Sequence, residues 1–146
     1  MLNLLSLKKV PKVDAALVLS EMMALFEEEG KSWAAVRGLA LDRAGRKADP
    51  VCENAVTFSI EGAMHAAAAR CGQSIEDVAL ESVRQRIYMC LPECLPENWQ
   101  RTNYDFRDLA IQAWEAFWLR SQAQVLALLR EARESAIALA ERPKVF

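Results

Sequence analysis

The chain is short of the residues and motifs on which most catalytic and cofactor sites depend. It has one histidine, His65, and five glycines among 146 residues. A single histidine excludes multi-histidine zinc motifs such as H-E-x-x-H. None of the glycine-rich patterns that cradle phosphate groups or expose a catalytic serine occurs. The sequence therefore predicts no cofactor and no bound metal, and no motif identifies a catalytic residue.

An excess of positive charge is also missing. The formal net charge is −2 and the isoelectric point is about 5.5, so the chain lacks the positive field that provides most non-specific affinity for nucleic acids. The one basic cluster is predicted to lie in a polar turn, and it consists of Arg37, Arg43, Arg46 and Lys47. A solvated hairpin tip is the favoured interpretation. Nucleic-acid binding through the loop from Arg37 to Lys47 remains the weaker alternative.

Long apolar runs and export features are absent as well. No window approaches the roughly 20 consecutive apolar residues that cross a bilayer, and the short apolar start lacks the order of a secretory signal. We therefore expect a cytoplasmic protein without a membrane anchor. Its cysteines are expected to be reduced and free of metal, because one C-x3-C pair without a second close pair is a weak zinc signal. These cysteines are Cys52, Cys71, Cys90 and Cys94.

Helix-forming apolar residues are abundant, and hydrophobic residues make up 53% of the sequence. Length and composition predict a single helical domain over 1–146. The spacing of apolar residues predicts a mainly α fold, a compact bundle of about five helices with a short β-hairpin or extended arm between helices one and two. We expect helices over 15–29 after the N-cap Asp14, over about 52–71, and after a capping box at 74–77. From 105 onward, two helices joined near 119–121 are favoured over one.

Several short motifs resemble a bacterial and phage family of small proteins whose function is unknown. They are Trp33 and residues 41–45 (LDRAG), 49–50 (DP), 55–63 (AVTFSIEGA) and 120–129 (RSQAQVLALL). The family has an R-D-x-x-G turn, an A-V-x-x-C-x-x-G-A helix start, a W-N-D loop and a terminal R-T-Q-A-E-V-L-A-L-L helix. In this chain Ser59 stands at the family's cysteine position. The resemblance implies a fold and a home in bacteria and their mobile elements, and it implies no activity.

Glu61 and His65 are four residues apart, a spacing that places both on one face of a helix. In that arrangement a carboxylate can orient an imidazole or share a metal ion with it. The favoured interpretation is a structural hydrogen-bonded pair beside the core. A catalytic role would need a nucleophile nearby, for which Ser59, Cys52 and Cys71 are candidates by sequence proximity alone.

Aromatic residues are concentrated near the C-terminal third of the chain, where six of the eleven lie within 99–118. Most such rings enter a core, because they bury large apolar areas. Three rings close together on one helix can nevertheless exceed what a small core covers, and an exposed remainder would form an interaction surface. We therefore predict a partner-binding surface formed by Trp99, Tyr104, Trp114, Phe117 and Trp118.

These features favour a non-catalytic protein that binds a protein partner of unknown identity or a second copy of itself. An accessory protein of a phage or mobile element that inhibits a host or defence complex is one concrete form of this hypothesis. The alternative from another class is a small hydrolase or metal-dependent enzyme that uses Glu61 and His65. Metal analysis of the purified protein separates the two classes.

Overall fold

Five helices and four short strands make up the part of the chain that the computed structural model describes, namely residues 13–36, 38–91, 106–117 and 119–141. The helices are α1 (Ala15–Glu27), α2 (Ile60–Arg70), α3 (Asp77–Met89), α4 (Phe106–Glu115) and α5 (Gln122–Glu141). The strands are β1 (Ser32–Trp33), β2 (Ala40–Asp42), β3 (Lys47–Ala48) and β4 (Ala55–Phe58). The predicted mainly α fold is confirmed.

The strands form one sheet, whereas the sequence predicted a simple hairpin or extended arm. The strand order is β1-β4-β2-β3, in which β1 runs parallel to β4 and the other neighbours are antiparallel. A hairpin of β2 and β3 is present within this sheet, and its turn contains Gly45 with a φ of 81°. Glycine adopts this left-handed conformation at little cost. The prediction of an isolated hairpin was wrong because it missed the pairing of β4 with both β1 and β2.

Strand β4 occupies residues that the sequence placed in a helix. The two end residues of Ala55–Phe58 are buried and the two between them are half-buried. Those two inner residues are β-branched, which favours a strand. The helix α2 begins only at Ile60, and Ser59 caps it by accepting a hydrogen bond from the Gly62 amide at 3.0 Å. The predicted helix start near residue 52 is therefore wrong.

Gly62 brings α2 close to the sheet. A Cβ atom at this position would lie 1.7 Å from the carbonyl oxygen of Leu39, which precedes β2. The same carbonyl oxygen accepts a hydrogen bond from the Ser59 amide at 3.1 Å. Only glycine permits this approach of the two backbones, and the approach fixes the start of α2 beside the segment that joins β1 to β2.

The boundaries of α1 and α3 agree only partly with the predictions. Asp14 caps α1 by accepting a hydrogen bond from the Leu17 amide at 3.1 Å. The helix ends at Glu27 and not at residue 29. The capping box predicted at 74–77 does not form, because the Ser74 hydroxyl accepts a hydrogen bond from the amide of Glu76, which itself holds the N-cap position of α3.

The predicted break between two C-terminal helices is confirmed. Helix α4 ends at Glu115 and α5 begins at Gln122. Ser121 and Gln124 form a capping box at the start of α5. The Ser121 hydroxyl accepts a hydrogen bond from the Gln124 amide at 3.3 Å, and the Gln124 side-chain oxygen accepts one from the Ser121 amide at 2.8 Å.

Helix α1 packs against α5, α2 and α3 in the core, and α3 also contacts α4 and α5. Helix α2 contacts α1, α4 and β4, and its small side chains permit these close approaches. Its buried alanines are Ala63, Ala66, Ala67 and Ala68. Within the part of the chain that the structure describes, none of the helices has the length and apolar character needed to cross a membrane.

Candidate functional site

A cleft of about 550 Å³ opens between the segment that joins β1 to β2, the start of α2 and one face of α4. Five titratable side chains line it, four carboxyl groups and one imidazole, and they are Glu61, His65, Asp77, Asp108 and Glu115. Among the described residues, no lysine or arginine lines this cleft. The cleft is therefore acidic.

Beside the cleft, the buried guanidinium group of Arg84 forms ion pairs with three carboxylates. Its Nε donates to the two oxygens of Glu61 at 3.0 and 3.1 Å, and its Nη2 contacts both Glu61 and Asp77. Its Nη1 donates to a carboxylate oxygen of Glu81 at 2.7 Å and to the Asp77 carbonyl oxygen at 3.0 Å. Such charge-assisted, multidentate bonds are strong and hold the partners in a fixed geometry. We call these four residues the Arg84 cluster.

His65 and Arg84 together determine the ionisation of Glu61. Burial alone would raise the pKa of this carboxyl group, but hydrogen bonds from His65 and Arg84 outweigh burial and hold the pKa below its usual value. His65 Nε2 lies 3.4 Å from Glu61 Oε1, so the predicted pairing of these two side chains is present. Glu61 is therefore held as an anion by its neighbours.

Glu115, the last residue of α4, is a buried acid with a different environment. It is 3% exposed. Its Oε2 atom accepts hydrogen bonds from Trp33 Nε1 at 2.8 Å and from the Ile60 amide at 2.7 Å. Both donors are neutral. Among the described residues, no ion pair reaches this carboxyl group.

Burial raises the pKa of Glu115 to about 7, although the hydrogen bonds from Trp33 and Ile60 act in the opposite direction. The negative charges of Glu61 and Asp108 add to the rise. Burial also raises the pKa of Asp108, again with a contribution from Glu61. Carboxyl groups that change protonation near neutral pH inside a cleft are candidates for functional sites.

Neighbouring elements fix the indole of Trp33 against Glu115. The Trp33 amide donates to Gln122 Oε1 at 2.9 Å, and Gln122 Nε2 donates to the Phe26 carbonyl oxygen at 3.0 Å. The start of α5 is thereby tied both to β1 and to the end of α1. This arrangement holds the backbone of Trp33 in place, and the Trp33 indole donates to Glu115.

A set of possible metal ligands also faces the cleft. Glu61, His65 and Asp77 each present one ligand atom, and these three atoms lie within 4.8 Å of one another. Imidazole and carboxylate ligands suit several divalent metals. The Arg84 guanidinium already contacts both carboxylates, however. A metal ion would have to displace this cation, so the described residues fit a metal poorly.

The predicted aromatic surface divides into core and exposed parts. Trp114 is 7% exposed and belongs to the core, and the Arg120 guanidinium stacks 3.9 Å from the centroid of its ring. Phe117 is 46% exposed. Trp99, Tyr104 and Trp118 lie outside the described residues. A buried ring cannot anchor a partner of the folded monomer, so Trp114 serves the core, and the wider surface stays a prediction.

Three members of the predicted basic cluster lie around the turn between β2 and β3, apart from the described residues that line the cleft. Arg43, Arg46 and Lys47 are exposed there, and Arg37 lies outside the described residues. Arg46 Nε is 3.2 Å from Asp42 Oδ2. This ion pair gives Arg46 a local structural role at the hairpin.

None of the described thiols lines the cleft. Cys52, Cys71 and Cys90 are free cysteines, and Cys94 lies outside the described residues. Burial raises the pKa of Cys71 and of Cys90, with further contributions from Glu21 and Glu131 respectively. A raised pKa leaves less thiolate, which is the reactive form.

Sequence reasoning missed Asp77 and Asp108 in the cleft, and it also missed the two buried charged residues of the site, Glu115 and Arg84. Both interrupt apolar helix faces: Glu115 follows the buried Ile111 by four residues in α4, and Arg84 lies between Leu80 and Ile87 on the buried face of α3. Charged side chains at such positions are rare unless they are paired. A charged residue that interrupts the apolar pattern of a helix face was the available signal.

The fold and the cleft define a small, mainly α protein with an acidic site. No family model, curated protein or solved structure matches the chain. The resemblance to a family of unknown function therefore stays a prediction, and a function has to be inferred from the site.

Proposed function

We propose that this protein is a non-catalytic, cytoplasmic interaction protein that binds a protein partner through the face that carries the acidic cleft. The observation that carries this proposal is the chemistry of the cleft. Its titratable groups are carboxyl groups and one histidine, and the described cleft contains no activated nucleophile. Charged groups with complementary surroundings give an interface specificity and faster association.

The side chains that would attack a substrate are occupied or distant. The Ser59 hydroxyl caps α2 and lies 3.3 Å from the carbonyl oxygens of Gly38 and Leu39. His65 pairs with Glu61 and has no hydrogen bond to Ser59 among those found in the described chain. A nucleophile acts when a base is within hydrogen-bond reach of it, and this arrangement does not provide that contact.

Apolar side chains flank the acidic cleft, as expected for an interface. Leu109 is 50% exposed on α4. It lies three residues before Gln112 and seven before Ala116, which both line the cleft, and this spacing puts the three residues on one helix face. At an interface, an apolar contact buries apolar surface, and a charged cleft beside it selects a partner of complementary charge. In its most specific form, drawn from the family resemblance alone, the proposal describes a phage or mobile-element protein that inhibits a host or defence complex.

Photo-crosslinking in host cells tests the proposal. A benzoylphenylalanine residue replaces Gln112 at the cleft, and in a matched variant it replaces Glu134, which is exposed on α5. We expect one discrete protein adduct from position 112 and none of the same mass from position 134. Identical adduct patterns from both positions, or no adduct from either, would contradict the proposal.

A metal-dependent enzyme is the second candidate, and the closeness of Glu61, His65 and Asp77 is the observation that favours it. Its weakness is Arg84, which contacts both carboxylates. Metal analysis of purified protein decides between the candidates. One equivalent of a divalent metal that is lost in both Glu61→Gln and His65→Gln variants would support the enzyme, provided that both variants remain folded.

A further inference from the structure

The environment of Glu115 identifies the kind of group that the cleft recognises. Glu115 lines the cleft and is buried, yet both of its hydrogen bonds end on one oxygen, Oε2. The other oxygen, Oε1, accepts no hydrogen bond from the described residues. A buried carboxylate without a cationic partner is costly, whereas a neutral carboxyl group or an ion-paired carboxylate is tolerated.

Glu115 keeps the same protein contacts as a neutral carboxyl group and as an ion-paired carboxylate. A proton on Oε1 leaves Oε2 free to accept the hydrogen bonds from Trp33 and Ile60. A cation beside Oε1 also leaves those two bonds in place. The exchange of one state for the other therefore needs no rearrangement of β1, α2 or α4.

The charged groups around Glu115 favour a cation in the cleft. Asp108 lies on the same helix, Glu61 and His65 lie on α2, and Asp77 and Arg84 lie on α3. Arg84 is engaged by Glu61, Asp77 and Glu81. It is therefore committed to three other carboxylates. The group of β1 that contacts Glu115 is the neutral indole of Trp33.

We infer that the cleft takes a cationic side chain of the partner, a guanidinium or ammonium group, against Glu115 in exchange for the proton that Glu115 otherwise carries. This inference rests on the proposed function and names the chemistry of the partner. The neutral carboxyl group loses its proton to solvent, and the resulting carboxylate pairs with the incoming cation. One positive charge enters as one leaves, so binding is coupled to pH.

The linkage gives the size of the expected effect. Because burial raises the pKa of Glu115 to about 7, the ionised fraction rises about tenfold between about pH 6 and pH 8. If the cation binds only the ionised form, the affinity should rise by the same factor, about tenfold. Around pH 7, each bound cation should release about half a proton.

The test uses N-acetyl-arginine amide and N-acetyl-lysine amide as probes, and the neutral N-acetyl-citrulline amide as the matched control. Binding is followed by NMR through the indole N–H signal of Trp33, which donates to Glu115. We expect the arginine or the lysine probe to bind about tenfold more tightly at about pH 8 than at pH 6. The citrulline probe should not move the signal. Calorimetry in two buffers of different ionisation enthalpy should show the released proton.

Three variants identify the titrating group. Glu115→Gln cannot ionise, so it should bind the cationic probes weakly at both pH values and without pH dependence, whereas Glu134→Gln, an exposed change on α5, should preserve the pH dependence. Histidine side chains also change charge near neutral pH, so a His65→Gln variant is included, and it too should preserve the pH dependence. Loss of the dependence in His65→Gln with its retention in Glu115→Gln would overturn the inference.

The remaining outcomes separate this inference from the proposed function. Cationic probes that bind equally at both pH values would refute the proton exchange. Failure of both cationic probes to shift the Trp33 signal at about 20 mM, far above the roughly millimolar affinity of weak small ligands, would refute the cationic ligand. Neither result bears on the adduct from position 112, which tests protein binding by itself.

Discussion

Two acids of the same cleft, the half-buried Glu61 and the buried Glu115, have opposite pKa shifts because they have different partners. Glu61 is met by the guanidinium of Arg84 and by His65. Glu115 is met by an indole N–H and a backbone N–H, neither of which carries a charge. The pKa of Glu61 therefore lies below its usual value, whereas that of Glu115 is raised to about 7.

The Arg84 cluster has a structural role, whereas the charge of Glu115 responds to pH. The ion pairs of a buried charge such as Arg84 hold a fold in place, because removal of the partners leaves that charge uncompensated. A carboxyl group that is held only by neutral donors has two accessible charge states near neutral pH. Glu115, whose pKa is raised to about 7, is therefore a group of the cleft whose charge a ligand can change.

The largest expected effect concerns the helix end that carries Glu115. Trp114 is buried in the core, so Trp114→Ala should lower the free energy of unfolding by about 3 to 5 kcal/mol. Phe117→Ala, at an exposed position, should lower it by less than about 1 kcal/mol. Urea denaturation measures both. Equal losses in the two variants would show that the exposed and buried assignments of these rings are wrong.

The next effect tests the Arg84 cluster. Arg84→Met retains much of the side-chain volume but leaves Glu61 without its cation, and should cost about 3 kcal/mol, the lower end for a broken buried pair because Asp77 is largely exposed. The double variant Arg84→Met with Glu61→Gln should recover part of that loss. Chemical denaturation at neutral pH provides the comparison. A double variant that is less stable than the single one would contradict the ion-pair explanation.

A further effect should appear in the pH dependence of stability, with opposite signs for the two acids. Glu115 has a folded-state pKa of about 7, above its ordinary value of 4.5, so its contribution to stability is full below about pH 4.5 and is lost as the pH rises to about 7. The slope in that window is at most about 1.4 kcal/mol per pH unit. Glu115→Gln should remove this decline.

Glu61 serves as the matched comparison for that profile. Its pKa is lowered in the folded protein, so its contribution is present above the ordinary value of 4.5 and is lost as the pH falls below it. Glu61→Gln should therefore flatten only the acidic limb. Denaturation curves across the pH range would show whether each substitution changes its own limb, and a change in the same limb for both would remove the distinction between the two acids.

The smallest effect is expected from divalent metals. Because Arg84 occupies the space between Glu61 and Asp77, about 1 mM Zn²⁺ or Mn²⁺ should shift the melting temperature of the protein by less than about 1 °C. A chelator-treated sample provides the reference. A saturable increase of several degrees would favour the enzyme candidate over the interaction protein.

The sequence predicted the parts of this molecule that depend on local pattern. Asp14 was recognised as a helix cap, and the break before Ser121 was found, because capping residues act on the chain next to them. The pairing of Glu61 with His65 followed from helical spacing alone. Strand β4 was missed, because a strand of four residues depends on the neighbours that it pairs with, and these lie far away in the sequence.

The ionisation of the cleft residues could not be predicted from the sequence, because it too depends on residues that are distant in the sequence. Trp33 and Glu115 are separated by 82 residues, and Arg84 and Glu61 by 23. Nothing in the local pattern shows which acid will receive the guanidinium and which will receive only neutral donors. That choice is made by tertiary packing, and it decides which of the two carboxyl groups responds to pH.

Carbon-13 NMR of the side-chain carboxyl groups tests the central claim most directly. The carboxyl carbons of Glu61 and Glu115 are assigned with the two Gln variants and followed through a pH titration of the folded protein. The account predicts that the Glu115 signal titrates with a midpoint near 7 while the Glu61 signal is already that of an anion well below this pH. A Glu115 midpoint at or below the ordinary glutamate value of 4.5 would contradict it.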